Sequence, residues 1–133
     1  MTAEEILQTK KSYAIIGASN EMLKYGYELV VTLNDAGYNI FPINPKYEEI
    51  EGVKCYPSLK ELPEKPEVII IALAPHNTER VIKEINNSIG IYWLPPNCYN
   101  GNTINFCKEN KYDFVYNVCP IGTLNNMSKN DLI

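Results

Sequence analysis

The sequence has 133 residues, 45% of them hydrophobic and 21% charged, an ordinary globular usage that excludes a disordered or fibrous chain. A core at this length buries roughly two-thirds of the surface its unfolded chain exposes, so one domain over residues 1–133 is expected without staples. Twelve basic residues, of which only Arg80 is an arginine, stand against sixteen acidic ones for a net charge of −4; this offers no general attraction to nucleic acid.

Short β-rich runs alternate with helical stretches. Tyr13-Ala14-Ile15-Ile16 is continuously apolar and ends at Gly17, the pattern of a strand buried on both faces. Leu29, Val30, Leu33 and Ala36 then recur at helical spacing, with Gly37 where a C-terminal cap sits. Asn39–Ile43 is a second strand, although Pro42 would be awkward in a central position because a ladder donor is lost. Residues 44–66 form a long connection carrying Tyr56-Pro57-Ser58-Leu59 and a short helix near Leu59–Leu62. Val68–Leu73 is the strongest strand, rich in β-branched residues.

Val81, Ile82 and Ile85 mark one face of the next helix, with Asn77 or Thr78 as its cap. Ile91–Leu94 is a fourth strand, and Pro95-Pro96 after it fixes an extended backbone and is a place for a cis bond. Thr103–Asn110 reads as a short helix and Phe114–Val118 as a fifth strand. Repeated β-α-β crossovers imply an α/β, Rossmann-like, doubly wound fold: a mostly parallel five-stranded sheet with helices on both faces. Such sheets bind ligands at the carboxyl ends of their strands.

The first strand end, Gly17-Ala18-Ser19, permits a tight turn, and the helix after it supplies free N–H groups for a phosphate. It is not GxGxxG: Ser19 takes the second glycine position, the next glycine is Gly26, and Lys24 comes to the same mouth. A purely structural turn with an exposed lysine is equally compatible with the loop alone. The second strand ends in Asn44-Pro45-Lys46, where an NAD site would place Asp or Glu against the ribose hydroxyls. A neutral residue and a cation suit a phosphorylated ribose instead, which disfavours NAD and leaves NADP, CoA or another phosphorylated nucleotide. A solvated turn is the plainer alternative. At the third strand end, Ala72-Leu73-Ala74-Pro75 is small enough for a flat base or an extended chain to lie against the backbone. His76 reads as a pocket or cap residue rather than a general base, and Trp93 as core or pocket wall.

The cysteines Cys55, Cys98, Cys107 and Cys119 form no CxxC pair and lie far in sequence from His76, so no zinc module is expected. Met1–Lys11 has no apolar core of a secretion signal, and Val68–Pro75 is too short to cross a bilayer. The expectation is a cytoplasmic protein with reduced thiols and neither a membrane nor a nucleic-acid partner. Cys98 and Cys119 are candidate thiols without an identified base, and a buried structural role is the expectation for each.

Three segments taken together, AIIGASNEMLKYGYELV (14–31), YNIFPINPKYEEIEGVKCYPSL (38–59) and EVIIIALAPHNTERVIKE (67–84), resemble the CoA-binding domain family. That family includes small stand-alone prokaryotic proteins and the N-terminal domain of the succinyl-CoA synthetase α subunit. The resemblance continues more weakly through Ile91–Leu94 and Cys119-Pro120. It implies coenzyme A or an acyl-CoA as ligand, with Gly17, Ala18 and Ser19 as the phosphate loop and Lys24 beside it. Asn44, Pro45 and Lys46 would lie near the adenosine and its 3′-phosphate, and Ala72, Leu73, Ala74 and Pro75 under the nucleotide or pantetheine. Two segments depart from the pattern. Pro95-Pro96-Asn97-Cys98 replaces a Gln and a small residue, and Asn117-Val118 replaces an Asp-Arg pair. The expectation is therefore a non-catalytic CoA-binding module with its protein partner left open. The alternatives are an NADP- or NAD-responsive regulatory module and a thioester-handling enzyme subunit.

Overall fold

The molecule is described by a computed structural model over residues 1–85 and 90–131. Helix α1 (Ala3–Thr9) leads into strand β1 (Ser12–Ile16), helix α2 (Tyr25–Asp35) and strand β2 (Asn39–Ile43). A hairpin follows, β3 (Glu49–Ile50) with β4 (Val53–Lys54), and then a 3-10 turn over Leu59–Glu61. Next come β5 (Val68–Ile71), α3 (Pro75–Glu84), β6 (Ile91–Leu94), α4 (Gly101–Glu109), β7 (Phe114–Tyr116) and α5 (Pro120–Asp131).

The main sheet has the order β2-β1-β5-β6-β7, and each neighbouring pair is parallel. The expected Rossmann-like α/β fold is therefore the observed one. Alternation along each strand divides the core in two. Tyr13, Ile15, Val68, Ile70, Ile91 and Trp93 join Ile6, Leu29, Leu33 and Ile121 on the face covered by α1, α2 and α5. Ala14, Ile69, Ile71, Tyr92 and Leu94 join Ile82, Ile104 and Cys107 on the face covered by α3 and α4. Both faces are covered, which is why these strands read as continuous apolar runs.

Several local readings need correction. Pro42 is not in a central strand, because β2 is an edge. The Pro42 carbonyl accepts from Tyr56 N–H on the open side; its missing donor faces the same way, so no bond to β1 is lost. The cap of α3 is neither Asn77 nor Thr78: Ala74 takes the N-cap and Pro75 the first helical position. Proline is favoured there because its missing N–H would have no helical partner. Helix α4 begins two residues earlier than its periodicity suggests, because Asn100 caps it by accepting from Thr103 N–H. The peptide bonds at Pro95 and Pro96 are trans, with no cis bond among the described residues.

Helix α1 is set by a reciprocal capping box, the Thr2 side chain accepting from Glu5 N–H and the Glu5 side chain from Thr2 N–H. The hydroxyls of Tyr13 and Tyr38 then donate to its Ile6 and Leu7 carbonyls at 3.1 and 2.6 Å. No described helix is long and apolar enough to cross a membrane.

Candidate functional site

The chain leaves β1 outward to β2, then returns to the other side of β1 as β5. The crevice of a doubly wound sheet opens where the direction reverses, between β1 and β5. Gly17 stands at that point with φ of +91°, and a Cβ there would strike the Ala72 carbonyl oxygen. A Cβ at Gly26 would in turn strike the Gly17 carbonyl oxygen. Both glycines are thus required by close backbone approach, one against β5 and the other in the first turn of α2.

Between them the chain makes a cradle. Ser19 is buried, and its Oγ accepts from Glu21 N–H at 3.0 Å; the hydroxyl shapes its own loop and keeps its hydrogen as a donor. Lys24 forms the N-cap position of α2, and its ammonium is 2.9 Å from the Glu21 carboxylate. The hydrogen bond from Lys24 and its positive charge hold the Glu21 carboxyl below the usual range, and the same contact raises Lys24. The lysine expected beside a phosphate therefore has an internal counter-ion, which the sequence reading did not include.

Asn44 fastens β2 to this cradle. Its amide donates to the Ala18 carbonyl at 2.8 Å, and its Oδ1 accepts from Lys46 N–H at 2.9 Å. Its side chain is thus engaged within the protein. Lys46 is exposed, with its Nζ 5.6 Å from the Tyr47 ring centroid; among the described residues it makes no ion pair.

A small cavity of about 400 Å³ gathers most of the expected residues. Gly17, Ala18, Ser19 and Lys24 line it from the first strand end, Asn44 and Lys46 from the second, and Ala72, Leu73 and Ala74 from the third. Glu21, Tyr25, Gly26 and Tyr47 complete its wall. Pro45 instead lines a second, larger cavity of about 1020 Å³, which shares Gly17, Asn44 and Leu73 with the first. Pro75 lines neither cavity, since it is committed to starting α3. His76, exposed in that first turn, lines neither as well.

The larger cavity was not foreseen as a place. Its far wall is Pro57, Ser58 and Leu59, and α3 supplies Arg80, Val81 and Ile85 opposite. Lys60, Arg80 and Glu84 add charge at its edge, Arg80 and Glu84 being 3.6 Å apart. The one available signal was the Tyr56-Pro57-Ser58-Leu59 segment; nothing local to Arg80 says that α3 faces it.

At the β6 and β7 ends, Trp93 is fully buried and its Nε1–H donates to the Val118 carbonyl at 2.7 Å. Beside it the Tyr25 hydroxyl lies 3.1 Å from Cys119 Sγ. Cys98 is buried as expected, while Cys119 is only half-buried.

A five-stranded parallel sheet with a glycine turn where the strand order reverses, and two lysines lining the cavity beside it, defines a Rossmann-like α/β class of protein. Residues 11–124 match the family described as CoA binding domain, and the chain belongs to that family. It is 40% identical over 74 residues to an ADP-forming acetate–CoA ligase of Methanocaldococcus jannaschii, a match covering 56% of this chain and 10% of the ligase. It thus spans about a tenth of that relative. Over 87% of both chains it is 26% identical to the uncharacterized protein YneT of Bacillus subtilis. A solved structure of a hypothetical protein from Pyrococcus horikoshii OT3 superposes with a TM-score of 0.81 at 32% identity, covering 95% of this chain and 92% of that one.

Proposed function

We propose that the chain binds coenzyme A or an acyl-CoA at the carboxyl ends of β1, β2 and β5, as a carrier or sensor rather than a catalyst. The observation that carries this is the convergence of Lys24 and Lys46 on the small cavity floored by Gly17, Ala18 and Ser19. Polyphosphate is the group this reading puts there, because backbone N–H groups at the start of α2 and the two lysines stand about one cavity. The Ser19 hydroxyl adds a donor.

The adjoining larger cavity is mostly apolar in its lining, with Ile43, Pro45, Leu59, Leu73 and Val81 among its walls. That lining suits the flat adenine, and the shared wall at Asn44 and Leu73 lets base and phosphates be held together. Lys46, lying between the β2 end and the cradle, is the residue assigned to the 3′-phosphate. A net charge of −4 does not oppose this, because helix N-termini and nearby ammonium groups set the field at the site while net charge acts on long-range encounter. His76 supplies no base to either cavity, which favours binding over chemistry.

Calorimetric titration of the purified chain with CoA, dephospho-CoA and NADPH tests the reading. Saturable binding is expected for CoA, weaker binding for dephospho-CoA, and little for NADPH. Equal or tighter binding of NADPH would instead favour the redox-responsive alternative.

A further inference from the structure

Two thiols and a phenol gather where β6 and β7 end, on the same edge of the sheet as the cradle. Asn97 and Asn117, both with positive φ, turn the chain just past these strands and so bring Cys98 and Cys119 to that edge. The bond from Trp93 Nε1 to the Val118 carbonyl holds the segment before Cys119 against β6. Tyr25 links the two places: it is among the residues lining the small cavity, and its hydroxyl sits 3.1 Å from Cys119 Sγ. Of the four cysteines, Cys119 alone is not buried.

We propose that Cys119 is a thiol–disulfide exchange site for CoA disulfide, positioned so that CoA held in the cradle delivers its sulfur there. This rests on the CoA-binding reading above. The cradle follows β1, and Cys98 and Cys119 follow strands two and three places further along the sheet, roughly 10 and 14 Å away at about 4.8 Å per strand. An extended pantetheine arm covers that distance.

In the exchange the Cys119 thiolate attacks one sulfur of the CoA disulfide. The sulfur–sulfur bond of the ligand breaks, and a new one joins Cys119 to one CoA. The second CoA leaves with the electron pair and takes up the proton that Cys119 gave. No other oxidant enters. Burial, then the bond to Cys119, pushes the Tyr25 phenol upward, so it keeps its proton and can donate to whichever sulfur carries the charge. Cys98, whose thiol burial pushes up, is a neighbour to the exchange and not its site.

The test treats the reduced, full-length chain with CoA disulfide or glutathione disulfide and follows intact mass, with the adduct mapped by peptide mass spectrometry. One CoA is expected per chain, on Cys119, removable by dithiothreitol and formed at least tenfold faster than the glutathione adduct. Adenosine 3′,5′-diphosphate, which has no sulfur, should slow it several-fold. Cys98→Ser should still take the adduct, and Cys119→Ser should take none while binding reduced CoA in calorimetry. An adduct on another cysteine, or equal rates with the two disulfides, overturns the proposal. So does no adduct on a chain that binds CoA, a result that leaves the binding reading standing. Absence of CoA binding by both wild type and Cys119→Ser overturns both.

Discussion

The Asn44 side-chain amide donates to the Ala18 carbonyl at 2.8 Å while its oxygen accepts from Lys46 N–H at 2.9 Å. One side chain therefore sets the distance between the glycine loop and the lysine assigned to the 3′-phosphate. Asn44→Ala removes both bonds and leaves the partly enclosed Ala18 carbonyl without this partner. A loss of about 1–2 kcal/mol is expected in urea unfolding. In calorimetry, CoA affinity should fall further than that of adenosine, because it is the phosphate groups that are mispositioned.

The two lysines are not equivalent. Lys24 already has Glu21 as a partner, whereas Lys46 makes no ion pair among the described residues. Lys46→Ala should weaken CoA binding roughly tenfold, about 1.4 kcal/mol, and dephospho-CoA binding much less. Equal losses for the two ligands in titration would remove Lys46 from the 3′-phosphate.

Glu21 places a carboxylate on the wall of a cavity read as taking phosphate. Its hydrogen bond from Lys24 keeps it below the ordinary carboxylate range, so it is fully charged at neutral pH. A bound polyanion must compete with it for Lys24. Glu21→Gln should therefore bind CoA several-fold more tightly than wild type at low salt, with the advantage shrinking as ionic strength rises. Titrations at two salt concentrations measure this.

At the opposite end of the sheet, Glu67 Oε1 accepts from Lys11 N–H at 2.8 Å and Ser12 N–H at 3.2 Å. The Lys11 bond first, then the bonds from Ser12, lower the Glu67 carboxyl. A carboxyl lowered by folding contributes stability above its unfolded value near 4.3, and that contribution is lost as pH falls through the lower folded value. Glu67→Gln should cost about 1 kcal/mol at pH 7, and its difference from wild type should begin to shrink near the unfolded value of about 4.3 and be gone only below the lower folded value. Thermal unfolding at several pH values checks the sign.

The five sheet strands and the glycine turn were legible because both signals are local. Runs such as Val68–Ile71 are apolar throughout when buried on both faces, and Gly17 stops the first of them. Helices α1 and α5 were not read: α1 is fixed by a Thr2–Glu5 cap of only a few residues, and α5 carries Asn and Ser through much of its length. The β3–β4 hairpin is too short to leave a period. Nine of the eleven expected site residues line one small cavity, yet two of the interactions that shape it, Lys24 with Glu21 and Asn44 with Ala18, involve side-chain geometry that spacing does not encode. Arg80 and Leu59 line one cavity only because the crossover from β2 to β5 and helix α3 after β5 bring them to the same place. Tyr25 and Cys119 are 94 positions apart, so their contact is visible only in three dimensions.

Pro42 has a consequence for how copies of the chain meet one another. On the open side of β2, Tyr56 N–H already occupies the Pro42 carbonyl and Asn44 N–H already reaches the Tyr56 carbonyl, while Pro42 itself has no N–H to offer. A strand from a second molecule approaching that edge at Pro42 finds the hydrogen-bonding positions there taken or missing. The residue that makes β2 look like a poor strand thus also makes this end of the sheet border a poor template for a second chain.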